Sequence, residues 1–229
     1  MRIAVDLRVT QGTRTGVGTI AYYQMKHVLA VDKANSYFGI LLENEPSDLP
    51  QNHALTVWPT RISGSHHFRR DLWQQAYLPY KLARQGIDVF HANYGIAVFA
   101  RCATVVTVHD MNPFLFSYTN PGLSAWYAKR LIAASARAAT RVIADSESAK
   151  DDVVRILKLP AEKVKVVYSA TDGRFSGEAI SETAQQRVRE KYGIHKDFIL
   201  FVGAFNPRKN LSRLLQAFRL LLDRHHLDC

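Results

Sequence analysis

The chain has 229 residues, of which 47% are apolar and 22% charged, and its mean hydropathy is close to zero. That composition supports a buried core and excludes general disorder or a fibrous repeat. Thirty Lys and Arg stand against 20 Asp and Glu, for a formal charge of +10 spread along the chain. Such a balance fits a solvated basic surface, an anionic substrate or an anionic membrane. It argues less for nucleic acid, because no zinc-finger spacing, RNA-binding aromatic motif or helix-turn-helix accompanies it.

Met1 and Arg2 lead into Ile3-Ala4-Val5, which breaks at Asp6 and Arg8. This run is too short for a secretory signal, and no segment approaches the roughly 20 apolar residues of a spanning helix. Cys102 and Cys229 lie far apart, which suits a reducing compartment and offers no metal-ligand spacing. A cytoplasmic protein without a bound metal is expected.

Taken in chain order, short apolar runs alternate with helical patterns. Strands are expected at Arg2 to Leu7, Tyr37 to Leu42, Leu55 to Trp58, Ile87 to His91, Thr104 to Val108, Val142 to Asp145 and Val164 to Tyr168. Helices are expected at Val17 to Ala30, Asp71 to Arg84, Leu123 to Ala139 and Ala149 to Leu157, with Ser146 placed to cap the last. Several strands are apolar throughout, which predicts burial on both faces. Strand-helix alternation of this kind gives an α/β fold, a Rossmann-like, doubly wound parallel sheet.

Thr171 to Gly193 is polar and reads as a linker with one helix. Phe198 to Val202 then reads as a new strand, followed by a loop and a helix at Leu211 to Leu222. The expected domains are 1–175, a linker with a helix at 176–196, and the start of a second sheet at 197–229.

Ligands of open parallel sheets bind beyond the carboxyl ends of the strands, and three segments fall at such ends. The first is the loop from Gly12 to Gly18. Gly16 and Gly18 let backbone amides approach a phosphate before a helix start, although the dinucleotide pattern lacks its third glycine. A flexible turn is the alternative. The second is Val108-His109-Asp110, where His109 would meet a sugar hydroxyl or relay a proton, or would simply be a packed histidine. The third is Gly203 to Asn210, where Arg208 and Lys209 suit a pyrophosphate at a helix start, or form a solvated basic turn. His66-His67 and His225-His226 have no carboxylate at ligand spacing, and neither a nucleophile elbow nor a Walker A loop occurs.

Four stretches in order resemble the retaining glycosyltransferase family 4. They are Asp6-Leu7-Arg8 with Thr15-Gly16-Val17-Gly18; Thr107-Val108-His109-Asp110; Val142-Ile143-Ala144-Asp145-Ser146; and Phe201-Val202-Gly203-Ala204-Phe205-Asn206-Pro207-Arg208-Lys209-Asn210-Leu211. Trp73 to Pro79, ahead of Asp88-Val89-Phe90-His91, is similar to the family's mannosyltransferase-like members. The resemblance implies two facing Rossmann-like domains, the GT-B architecture, and transfer of a sugar from a nucleotide sugar to a saccharide or lipid-linked acceptor in polysaccharide synthesis.

By that resemblance His109 touches the transferred sugar. The Gly16 and Gly18 loop approaches the donor diphosphate or the acceptor, Gly203, Arg208 and Lys209 meet the donor's phosphates, and Asp110 and Ser146 lie at the acceptor or elsewhere in the cleft. No cofactor beyond the donor is implied, and no metal. The family's glutamate pair near the donor does not occur after Lys209 in these residues, so little transfer is expected of the chain alone. The alternative is a non-catalytic, acceptor-binding subunit completed by a separate donor-domain chain. The basic and aromatic segment from Asp71 to Arg84 reads either as a core-facing helix with cations outside or as a peripheral contact with anionic lipid.

Overall fold

Seven strands form one entirely parallel sheet in the computed structural model, which describes residues 1–62, 72–93, 95–116, 123–170, 173, 175, 180–203 and 205–225. They are β1 (Arg2–Asp6), β2 (Ser36–Leu42), β3 (Leu55–Thr60), β4 (Val89–Ala92), β5 (Ala103–Val108), β6 (Arg141–Ala144) and β7 (Val164–Val166). Their order across the sheet is β3-β2-β1-β4-β5-β6-β7. The chain therefore winds outward in one direction from β1 and in the other from β4. The seam between these two strands is the switch point where such sheets open a ligand crevice.

The helices of this part are α1 (Gly16–Val31), α2 (Leu78–Arg84), the short α3 (Asn112–Leu115), α4 (Leu123–Ala138) and α5 (Glu147–Leu157). Successive strand residues point to opposite faces, and β1 feeds a core on each. Ala4 joins Phe38, Ile40, Phe90, Val106 and Val142 under α2, α4 and α5. Val5 and Leu7 join Tyr37, Leu41 and the α1 residues Met25 and Leu29 on the other. Both faces are covered, so the sheet is doubly wound and Rossmann-like.

Element boundaries differ from expectation where side-chain pattern and backbone pairing part company. The expected strand at Ile87 begins at Val89, because Ile87 donates its N–H back to Leu82 O and closes the end of α2. The strand expected to reach Tyr168 ends at Val166. Ahead of α2, Trp73–Tyr77 is π-helical; Asp71, the expected helix start, lies outside the described residues, as do His66 and His67.

The chain divides after Ala170 into two compact units. The second unit contains α6 (Glu182–Tyr192) and α7 (Leu211–His225). Ser181 caps α6 by accepting from the Ala184 N–H, and Gly193 closes it at φ 62°. The strand expected at Phe198 to Val202 does not form: these residues run outside any ladder, and Phe198, Ile199, Leu200 and Val202 are more than half exposed. A strand is held by hydrogen bonds to a neighbour, and no described segment of this unit pairs with it.

Candidate active site at the carboxyl edge of the sheet

The parallel register pairs Val108 of β5 with Ala144 of β6. The next residue on each strand therefore also lies side by side, and these are His109 and Asp145. His109 Nδ1 donates to Asp145 Oδ2 at 2.7 Å, with the imidazole 7% exposed and the carboxylate 21%. A carboxylate on Nδ1 fixes the ring's orientation and leaves Nε2 as the nitrogen facing away from it. Both groups lie within the edge predicted to bind ligand.

One strand over, His91 Nε2 and Thr107 Oγ1 share a hydrogen bond of 2.8 Å. Burial pushes the His91 imidazole down to about 4; the nearby His109 adds to this and Asp6 opposes it. His91 is thus neutral near pH 7, beside the His109–Asp145 pair.

At the end of β1, Asp6 and Arg8 form a two-pronged ion pair, with Nη2 to Oδ2 at 2.6 Å and Nε to Oδ1 at 2.9 Å. Arg8 also donates to Ile62 O at 3.0 Å and lies 5.0 Å from the centre of the Trp73 ring. Burial works to lower the guanidinium's pKa, but the charge and hydrogen bonds of Asp6 outweigh it and raise the value. Arg8 was not singled out as a site residue from sequence, although Asp6-Leu7-Arg8 belonged to the family pattern. Nothing in the sequence showed that its charge would be buried.

The other expected site residues divide by what holds them. Gly16 opens α1, and a Cβ built on it would meet nothing within 4 Å. Gly18 is packed: a Cβ there would stand 2.2 Å from Val9 O. Its absence of a side chain lets α1 lie against the turn at Arg8–Thr10. Ser146, two residues beyond β6, caps α5, accepting from the Ala149 N–H at 3.1 Å. Asp110 accepts from the Asn112 N–H at 3.0 Å and is exposed.

Gly203, Arg208 and Lys209 belong to the second unit. There Pro207–Lys209 forms a single tight turn, Asn206 Oδ1 accepts from the Arg208 N–H at 3.0 Å, and Asn210 adopts φ 52° before α7. Lys209 Cε comes 4.0 Å from the place a Gly203 Cβ would take, so Gly203 and Lys209 are neighbours. Both cations are exposed.

A family model for Glycosyltransferase Family 4 matches residues 28–173, from within α1 to just beyond β7. The chain belongs to glycosyltransferase family 4. Among curated relatives, the serotype-specific mannosyltransferase WbdA of Escherichia coli is 29% identical over 121 residues, covering 52% of this chain and 15% of that protein. O-antigen chain mannosyltransferase B of Escherichia coli is 25% identical over 118 residues, 51% of this chain and 30% of that protein. The chain thus spans well under half the length of these curated relatives.

Of solved structures, sucrose-phosphate synthase from Thermosynechococcus elongatus superposes with a TM-score of 0.66 at 15% identity, over 95% of this chain and 59% of that one. WaaG, a glycosyltransferase involved in lipopolysaccharide biosynthesis, gives 0.66 at 16%, over 94% and 58%. These likenesses establish the shared GT-B-type fold.

Proposed function

We propose that this family 4 chain forms the acceptor-side part of a retaining, nucleotide-sugar-dependent mannosyltransferase that builds a cell-surface polysaccharide. The observation that carries this reading is the His109–Asp145 pair at the sheet's carboxyl edge, inside the stretch matched by the family. Relatives named as O-antigen mannosyltransferases support mannose as the sugar.

In this reading His109 contacts the transferred sugar, and Asp145 fixes its ring. Asp110 and Ser146 flank it at the ends of neighbouring strands. Gly16 offers an unobstructed backbone at the start of α1, where N–H groups favour an anion. Gly18 serves the same loop by letting α1 pack closely. Gly203, Arg208 and Lys209 cradle the donor's pyrophosphate. As the glycosidic bond breaks, negative charge grows on the leaving phosphate, and fixed cations stabilise it there. Two side chains supply that charge, so the reading invokes neither a metal nor any cofactor besides the donor.

The test is transfer, or donor hydrolysis, from a panel of nucleotide sugars by the chain alone and joined to a complete family 4 donor domain. Mannose transfer by the joined protein is expected, with little by the chain alone. Failure with every donor in both forms would overturn the reading.

We also infer peripheral contact with anionic lipid through the segment that ends in α2. Leu72, Tyr77 and Tyr80 are exposed there at 61%, 51% and 58%, beside Lys81 and Arg84. Apolar and aromatic side chains flanked by cations suit a membrane interface. No helix among the described residues is long and apolar enough to cross a membrane. Co-sedimentation with vesicles containing phosphatidylglycerol, lost at high salt and in a Tyr77→Ala/Tyr80→Ala variant, is the expected result. Equal binding to neutral vesicles would contradict it.

A further inference from the structure

After β4, the described residues Gly95, Ile96 and Val98 are pinned through their backbone polar groups. Gln75 donates through Nε2 to Ile96 O at 3.0 Å, and its Oε1 accepts from the Val98 N–H at 2.9 Å. Gln74 donates to Gly95 O, and the Ile96 N–H donates to Ser135 Oγ at 3.2 Å. A Cβ on Gly95 would press against Leu131 at 3.2 Å. The π-helical turn thus clamps one side of this loop and α4 packs against the other. A π-turn is a costly irregularity that is common at functional sites.

Within this pinned loop, Asn93 is 3% exposed, and its Oδ1 accepts no hydrogen bond among the described residues. An unpaired buried amide oxygen is costly, so it calls for an explanation. Its position supplies one. Ala92 pairs with Val106 across β4 and β5, and Val5 pairs with His91 across β1 and β4. Asn93 is therefore the first residue past β4 at the switch point, with Leu7 and Arg8 on one side and Thr107 and His109 on the other.

Resting on the glycosyltransferase reading, we propose that Asn93 is a sugar-contacting residue whose Oδ1 accepts a hydrogen bond from a ligand hydroxyl. A sugar hydroxyl is a neutral donor that would satisfy the oxygen without bringing a charge into the edge. Gln74 and Gln75 fix the backbone at Gly95, Ile96 and Val98, close behind Asn93, and ordered neighbours lower the cost of binding. The hydroxyl can belong to the acceptor saccharide or to the donor's sugar.

The test is an NMR titration of the 229-residue chain with methyl α-mannoside and, separately, GDP-mannose, repeated with singly deoxygenated mannosides. Asn93→Ala is expected to weaken at least one of the two ligands by about tenfold, the scale of one lost hydrogen bond. The wild type should lose a similar factor for one deoxy analogue, to which the variant is indifferent. The ligand that shows the loss identifies the source of the hydroxyl. Asn93→Ser, whose shorter side chain withdraws the oxygen, should behave alike and guards against a misfolded alanine variant. Undiminished binding of both ligands by both variants overturns the inference and leaves the glycosyltransferase reading standing. No binding of either ligand by the wild type also overturns this inference, while the glycosyltransferase reading is decided separately by transfer in the joined protein.

Discussion

His109 and Asp145 occupy matching places on neighbouring strands, each one residue beyond the Val108–Ala144 pair, and their side chains meet at 2.7 Å. The contact follows from register: a parallel ladder that pairs two residues sets their successors side by side. A slip of one residue in β6 would put Ser146 in Asp145's place and turn its neighbours to the wrong face. Asp145→Ala should therefore reduce mannosyl transfer by the joined protein by about tenfold or more, at least ~1.4 kcal/mol of barrier. Asp145→Asn, which keeps an oxygen acceptor, should lose less. Steady-state kinetics of the two variants check this order.

The two glycines at the start of α1 should separate on substitution. Gly18→Ala drives a methyl group into the Val9 carbonyl, and overpacking of this kind costs about 1–3 kcal/mol. A fall in the thermal unfolding midpoint is expected. Gly16→Ala meets open space, so its midpoint should hold or rise, since alanine favours a helix over glycine by up to ~1 kcal/mol. Any effect of Gly16→Ala on nucleotide-sugar binding would then report on the ligand and not on the fold.

Arg8 and Asp6 are 10% and 12% exposed at their side chains. Removing one partner leaves a charge stranded in low dielectric, at a cost of about 3–5 kcal/mol. Arg8→Ala should therefore destabilise the first unit far more than Arg61→Ala, whose partner Glu43 is well exposed. Urea unfolding of the two variants measures the difference.

Much of this architecture was legible in the sequence because buried parallel strands are apolar on both faces. The runs expected at Thr104 to Val108 and Val142 to Asp145 announced themselves that way, and strands form at Ala103–Val108 and Arg141–Ala144. Phe198 to Val202 carries the same signal and forms no strand, since apolar character marks a segment that wants burial and cannot supply its neighbour. For the candidate site, His109 was found through its place at a strand end. Asp145 lay in the quoted family pattern, yet its partnership depends on a register that no single sequence states. Arg8 and His91 were missed for a related reason: both are polar residues made unusual by burial, and burial is a property of the assembled sheet. Ser146 was read correctly as a helix cap, a local interaction three residues long.

Stability should carry the signature of His91. Its folded pKa, about 4, lies below the ordinary histidine value of 6.5. Between those two values the unfolded chain binds the extra proton, so stability rises with pH through this window. The contribution is fully present above about pH 6.5 and is lost as pH falls toward 4. His91→Gln should flatten the slope of unfolding free energy against pH over that range. An unchanged slope would mean that His91 titrates normally in the folded chain.

The most direct measurement is mannosyl transfer by His109→Ala in the chain joined to a complete family 4 donor domain, alongside its thermal unfolding midpoint. With its folding intact, the variant is predicted to lose nearly all transfer, because it removes the group proposed to meet the sugar at the carboxyl edge. Full transfer by a well-folded His109→Ala protein would contradict the assignment of the reaction to this edge of the sheet.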